Sequence, residues 1–549
     1  MASPTACDEP VGHRPPDRRD AAQELVRSLA EQPWGQLSPS TYETARLVSL
    51  APWLDGHAAR LRHLSATQNP DGGWGDADGY GDGYAVVPTL SATEAALVTA
   101  LRADRTDAAR MRRAARNGLA ALRSWLAGPS MTLPDTPAVE LIVPALVESI
   151  NARLAEPGGP GGPPLSLPSG VDPATVQAIR SALSAGIDVP RKLLHSLDAM
   201  APLPTAARGL APNPRWTVGA SPAATAAWLG ERPHGRRAGA TAAIRYLRDV
   251  VAHHGGLAPS VIPITTFERA WVLATLADGG LDATGPVAGR LTRQLAASLT
   301  EVGTSGGPGL PPDADTTSVV LLALEQRGRT PDLDCLLEYG TATHFLTWPG
   351  ERTPSTSTNA HVLDALSLRL CRMPAHTSRY AAARDRVATW LLEQQRSDGS
   401  WMDKWHASPY YATAASVGAF ERCDELAAKP AVKRAVDRAV RWVLRTRRDD
   451  GGWGRWASTA EETAYAVRAL WARRHGRAAK AALAGARGQL GEADYFARPA
   501  RGRAMSAAPL GPAVALWHDK DLYHPIAVVR ATTLASQELV DVSIGGSSR

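Results

Sequence analysis

The stretch Trp390-Leu391-Leu392-Glu393-Gln394-Gln395-Arg396-Ser397-Asp398-Gly399-Ser400-Trp401 decides the fold class. Its first half continues a run with apolar residues at three- and four-residue spacing, the mark of an amphipathic helix. Its second half is a turn. Gly399 admits a left-handed helix cap, Asp398 can satisfy turn amides, and Trp401 can pack back over the helix end. The same figure recurs as Asp71-Gly72-Gly73-Trp74 after RLRHLSATQNP and as Asp450-Gly451-Gly452-Trp453 after RWVLRTRRD. Such self-similarity predicts helices assembled from a repeated unit. Further helical runs, AAQELVRSLAE (21–31) and AARMRRAARNGLAALRSWLA (108–127), lie outside the repeats, and alternating apolar/polar runs are scarce. The fold class is all-α.

At 549 residues the chain suggests two or more domains. It is 44% hydrophobic and 21% charged, the composition of a globular protein. The net charge of +6 is spread along the chain without a basic block, which argues against nucleic acid as a partner. Four scattered cysteines, Cys7, Cys335, Cys371 and Cys423, contain no CxxC pair, so neither a disulfide framework nor a cysteine-rich zinc site is expected. The polar N-terminus is no signal peptide, and no stretch has the roughly 18 apolar residues of a membrane span, so the cytoplasm is the expected address. Aromatic usage is lopsided, with 16 Trp and 11 Tyr against 4 Phe. Most of these rings should plug a helical core, while some could face developing positive charge. The glycine- and proline-rich segment 158–170 reads as a loop within a domain.

Asp313-Ala314-Asp315-Thr316-Thr317, after Pro311-Pro312 and before SVVLLALEQ, allows two readings. It is a good helix start, with an aspartate as N-cap. It is also a pair of carboxyls which, close together and buried, would not both ionise and could keep an acid protonated.

Ordered landmarks around this pair resemble the class II terpene cyclases. They are WGQLSPSTYETARLV (34–48), VELIVPALVES (139–149), VPRKLLHSLDAM (189–200), FERAW (267–271), PDADTTSVVLLAL (312–324), FLTWPGERTPSTSTNAHVLDAL (345–366), WHASPYYATAA (405–415) and ALWHDKDLYHPIAVV (515–529). The Gly-Trp turns are similar to the family's QW repeat. The resemblance spans about residues 22–540 and implies two α/α-barrels: residues 1–40 with 260–549 as β, and 41–259 as the inserted γ.

It further implies protonation of a linear prenyl diphosphate, geranylgeranyl or farnesyl, to give a bicyclic labdane-, halimane- or drimane-type diphosphate. Asp315 falls on the proton donor, Asp313 on its tuning partner and Thr316 on the position where DxDD relatives carry a further aspartate, giving a DxDTT variant. Asn359 falls on an amide that orients the acid, with helix capping the rival role and His361 a weaker substitute. Trp271, Trp348, Trp401, Trp405, Tyr410 and Tyr411 are candidate cation-facing rings, packing being the alternative for each. Magnesium is the implied cofactor, with Glu140 the better ligand candidate beside Asp135. Lys192 and Lys520 are diphosphate candidates or surface charges. The metal motifs that ionise diphosphates in class I enzymes are absent from the sequence, so the diphosphate should be retained. The resemblance leaves a homodimer open.

Three other readings share the helical expectation. A squalene–hopene-type cyclase fits the HSLDAM and WHDKDLY landmarks less well. A protein prenyltransferase subunit would need zinc ligands that the cysteines do not offer. A non-catalytic isoprenoid-binding barrel would leave every substrate unchanged.

Overall fold

A computed structural model describes residues 17–75, 83–102, 105–128, 131–204, 210, 217–231, 238–373, 378–491 and 514–545. Cys7 and the N-terminal segment 1–16 lie outside the described residues.

The three Gly-Trp turns are superposable in their bonding. The indole Nε1 of Trp74, Trp401 and Trp453 donates back ten residues, to Leu64 O at 2.7 Å, Leu391 O at 2.8 Å and Val443 O at 2.7 Å. In each turn the aspartate Oδ1 accepts the N–H two residues on, at 2.9 Å. The Trp backbone N–H donates to a threonine hydroxyl of the next helix, Thr89, Thr413 or Thr463. Gly399 shows why the turn needs glycine: its φ is +100°, and a Cβ would stand 2.6 Å from Arg438 O. All three Trp rings are fully buried. Each turn therefore closes an orphan carbonyl at a helix end and plugs the gap between two helices. Trp401→Phe removes the indole N–H together with one ring, leaving Leu391 O without its donor, and the lost bond alone should cost about 1–3 kcal/mol, measurable by thermal or denaturant unfolding.

The helices form two barrels. In the larger, helices Thr265–Asp278, Ala314–Gln326, Thr356–Arg372, Pro409–Glu421, Ala460–Trp471 and Ile526–Gly545 each pack against the next, and the last closes on the first. Helices outside this ring are amphipathic. Pro430–Arg445, for example, buries Val432, Ala435, Val436, Ala439, Val440, Trp442 and Val443 and leaves its other face to water. The inner helices are buried on nearly all sides, as Ala314–Gln326 illustrates. Serine, threonine or aspartate N-caps start several of them: Asp313, Ser355, Ser408 and Thr459 each accept a backbone N–H of the first turn.

The second ring comprises Thr41–Leu50, Val86–Arg102, Val139–Ala155, the 3-10 segment Arg191–Met200 and Pro222–Leu229. One hydrophobic core gathers residues 22–37 and 261–540 with Ala220; another gathers residues 42–243. The only strands among the described residues are Trp517–His518 and Leu522–Tyr523, an antiparallel pair. No helix among the described residues is long and apolar enough to cross a membrane.

The turn between those strands fastens one barrel to the other. Lys520 is fully buried, with Nζ 2.6 Å from Glu43 Oε1, 3.1 Å from Asp198 Oδ1 and 2.8 Å from Ser221 Oγ. Asp519 meets His195 at 2.9 Å, and Asp521 accepts Ser40 Oγ at 2.7 Å and Tyr42 N at 2.9 Å. Lys520 is thus no diphosphate ligand. Its ammonium is already saturated by two carboxylates and a hydroxyl, away from any open surface.

Candidate active site

Asp313 and Asp315 stand differently at the start of their helix. Asp313 is the N-cap of Ala314–Gln326, its Oδ1 accepting Thr316 N at 2.6 Å. The loop before it is pinned by Asp313 N to Thr304 O at 3.0 Å and by Ala314 N to Thr347 O at 2.8 Å. Asp315 stands in the first helical turn and needs no capping bond. Its Oδ1 lies 2.7 Å from Nδ1 of His361, on the neighbouring inner helix Thr356–Arg372. No hydrogen bond to Asp315 Oδ2 is found among the described residues.

Both aspartates line a cavity of about 530 Å³. Phe267, Trp348, Trp405, Trp517 and Tyr523 supply much of its ring surface. Burial pushes the Asp313 carboxyl up to about 7, against the hydrogen bond from Thr316 N and with the Asp315 charge adding to the rise. Burial works against a charged His361, but the Asp315 carboxylate and its hydrogen bond prevail and hold the imidazole above its ordinary value. Asp313 and His361 therefore both hold their protons more firmly than usual, beside Asp315 at one end of an aromatic cavity.

Aliphatic side chains such as Leu141, Leu193, Val261, Ile264 and Leu310 share the lining with charged groups. Lys192, Arg352 and Lys404 contribute cations, and Asp135, Glu140 and Glu351 contribute carboxylates. Lys404 is bonded to Glu351 and lies over the rings of Trp348 and Trp405, at 5.8 and 5.2 Å from their centroids. Glu140 is 2.9 Å from Arg352, and Lys192 Nζ donates to Gly350 O at 3.3 Å. An amphipathic molecule with an anionic head and an apolar tail suits such a lining.

Known proteins match this chain along most of its length. Residues 352–492 match the family described as the squalene-hopene cyclase C-terminal domain. An ent-copalyl diphosphate synthase of Streptomyces sp. (strain KO-3988) is 43% identical over 531 residues, covering 95% of this chain and 97% of the relative. A labda-7,13-dienyl diphosphate synthase of Streptomyces clavuligerus is 39% identical, covering 97% and 95%. The solved ent-copalyl diphosphate synthase from Streptomyces platensis is 42% identical, with a TM-score of 0.85 over 95% of this chain and 99% of that one. The chain belongs to the bacterial class II diterpene cyclases of labdane type.

The cyclase's site differs from the sequence expectation at several residues. Asn359 does not reach Asp315. Its amide is consumed by the backbone, accepting Phe345 N at 2.8 Å and donating to Phe345 O at 2.9 Å and Ser355 O at 2.8 Å. His361, two residues on and so on a different helix face, occupies the position beside Asp315. Trp401 is the plug of its repeat and has no cavity surface. Tyr410 donates to Thr446 O at 3.4 Å and packs on Trp442, also away from the cavity. Trp271 and Tyr411 stand behind the lining, joined at 3.3 Å, with Trp271 edge-on to His361 at 5.4 Å. Thr316, Trp348, Trp405, Lys192 and Glu140 do line the cavity. Sequence reasoning passed over Phe267, Trp517, Lys404 and the His195–Asp519 pair. Phe267, Trp517, His195 and Asp519 all lie inside recognisable landmarks, which was the one signal that pointed to them, and Lys404 had none.

Proposed function

We propose that this cyclase converts geranylgeranyl diphosphate into a bicyclic labdane-type diphosphate by protonating the terminal alkene from Asp315. The observation that carries this is the Asp315 carboxyl at the cavity wall, one oxygen held by His361 and the other without a hydrogen-bond partner among the described residues. In the reaction the Asp315 O–H bond breaks as a C–H bond forms, leaving a tertiary cation. Two alkene additions close the rings, and a proton lost from carbon restores an alkene, so substrate and product are isomers. The diphosphate is untouched. The aromatic walls keep water away and offer π faces to the moving charge. His361 can return a proton to Asp315 between turnovers.

The relatives' names, copalyl and labda-7,13-dienyl diphosphate synthase, favour the C20 substrate over farnesyl diphosphate. Magnesium is proposed as the counter-ion of the diphosphate. No group of three or more His, Cys, Asp or Glu side chains among the described residues could hold a metal alone. Magnesium nevertheless binds with one or two carboxylates, substrate phosphates and water, so Asp135 and Glu140 in the lining suffice as its protein ligands. When bound, the ion supplies charge neutralisation at the phosphates.

Incubation with geranylgeranyl or farnesyl diphosphate, with and without magnesium, followed by dephosphorylation, mass spectrometry and NMR, tests this reading. A bicyclic C20 alcohol is expected; turnover of the C15 substrate alone would contradict it. Because Asp313 titrates near 7 and a raised carboxyl is protonated below that value, turnover should fall as pH rises through about 7. Asp313→Asn, which keeps the helix cap, should displace that falling limb in a pH–rate profile.

A further inference from the structure

Behind the cavity wall lies a buried carboxylate that the protonation step does not use. Glu461, in the first turn of Ala460–Trp471, is 3% exposed. Its Oε1 collects three donors: Trp517 Nε1 at 2.7 Å, His406 Nε2 at 3.2 Å and Tyr465 OH at 3.3 Å. Trp517 itself lines the cavity, with Phe267 at 5.6 Å and Tyr411 at 4.9 Å between ring centroids.

Two histidines flank this carboxylate. His406 Nδ1 accepts Ser408 N at 3.0 Å, which leaves Nε2 as the atom that donates to Glu461. His524 Nδ1 is 3.8 Å from Glu461 Oε2, and burial pushes that imidazole below its ordinary value. Burial alone would raise the Glu461 carboxyl, but the hydrogen bond from His406, attraction to His406 and His524 and the bond from Trp517 hold it below the ordinary carboxylate value. A negative charge is therefore buried one indole away from the reacting space, where the low dielectric strengthens its field.

We propose that Glu461 is a positioning residue for ring closure: through the Trp517 N–H it enriches the cavity-facing indole in electron density and so steadies the cyclic carbocation until proton loss. An indole donating to an anion gains negative character on its face, and a desolvated cation over such a face is held more firmly. The inference rests on a carbocation forming in this cavity, as proposed above. A merely structural Glu461 would tie the short strand to the helix and nothing more.

Glu461→Gln separates the two roles, since a carboxamide oxygen still accepts the indole N–H while the charge is gone. With geranylgeranyl diphosphate and magnesium, kcat is expected to fall about tenfold or more with KM within about twofold. Monocyclic or water-captured diphosphates should rise in the product mixture. In a Trp517→Phe background the same change should alter kcat less than about twofold, because the link is missing. Should Glu461→Gln fail to fold, benzothienylalanine at position 517 keeps the ring and deletes the N–H, and it should reproduce the effect. A wild-type rate and product mixture in Glu461→Gln, or an equal loss with and without Trp517, would overturn the proposal. Parallel wild-type turnover keeps that outcome distinct from a failure of the diphosphate-cyclase reading, which would show as an inactive wild type.

Discussion

Asp315→Asn should lose ring closure by about 10³-fold or more while keeping its fold, the range expected when a general acid is removed. The carboxamide oxygen can still accept from His361, and the helix cap rests on Asp313, so neither local bond is forfeited. What disappears is the proton. Circular dichroism and melting temperature should match the wild type, and substrate should still bind. Any larger structural loss would mean that Asp315 supports the helix start and that the cap had been assigned to the wrong aspartate.

Lys520→Met should be the most damaging single change to stability. It removes a buried ammonium and leaves Glu43 and Asp198 facing each other, both fully buried. Breaking a buried pair in this way typically costs about 3–5 kcal/mol. In the native protein, attraction to Lys520 and then Arg46 outweighs burial and holds Asp198 below its ordinary value, so its contribution is present above that range and is lost in acid. Burial already holds the Glu43 carboxyl up against the pull of Lys520, and with that cation gone it rises further while Arg46 still faces Asp198, so the deficit should shrink as Glu43 takes up a proton at lower pH. Unfolding measured at pH 8 and pH 5 checks this, and adding Glu43→Gln with Asp198→Asn should recover much of the loss.

The helical architecture was legible because its signals are local. A glycine with a positive φ, an aspartate two residues before the amide that it binds and a tryptophan reaching back ten residues all lie within one short window. The acidic pair was legible for the same reason. The errors arose where contacts depend on helix phase or on distant segments. Asn359 and His361 are two residues apart, and only the three-dimensional packing of Thr356–Arg372 shows which of them faces Asp315. Lys520 reads as a surface charge because its partners lie 477 and 322 residues away. Tyr410 and Tyr411 are adjacent, yet one packs on Trp442 and the other reaches Trp271. Composition could not separate a ring that plugs a barrel from one that lines a cavity.

Turnover of geranylgeranyl diphosphate in deuterium oxide tests the central claim most directly. If Asp315 starts the reaction with a solvent-exchangeable proton and the diphosphate is retained, the dephosphorylated bicyclic product will carry one deuterium on ring carbon, and no inorganic diphosphate will be released. A product without deuterium, or release of diphosphate in step with product, would contradict the account.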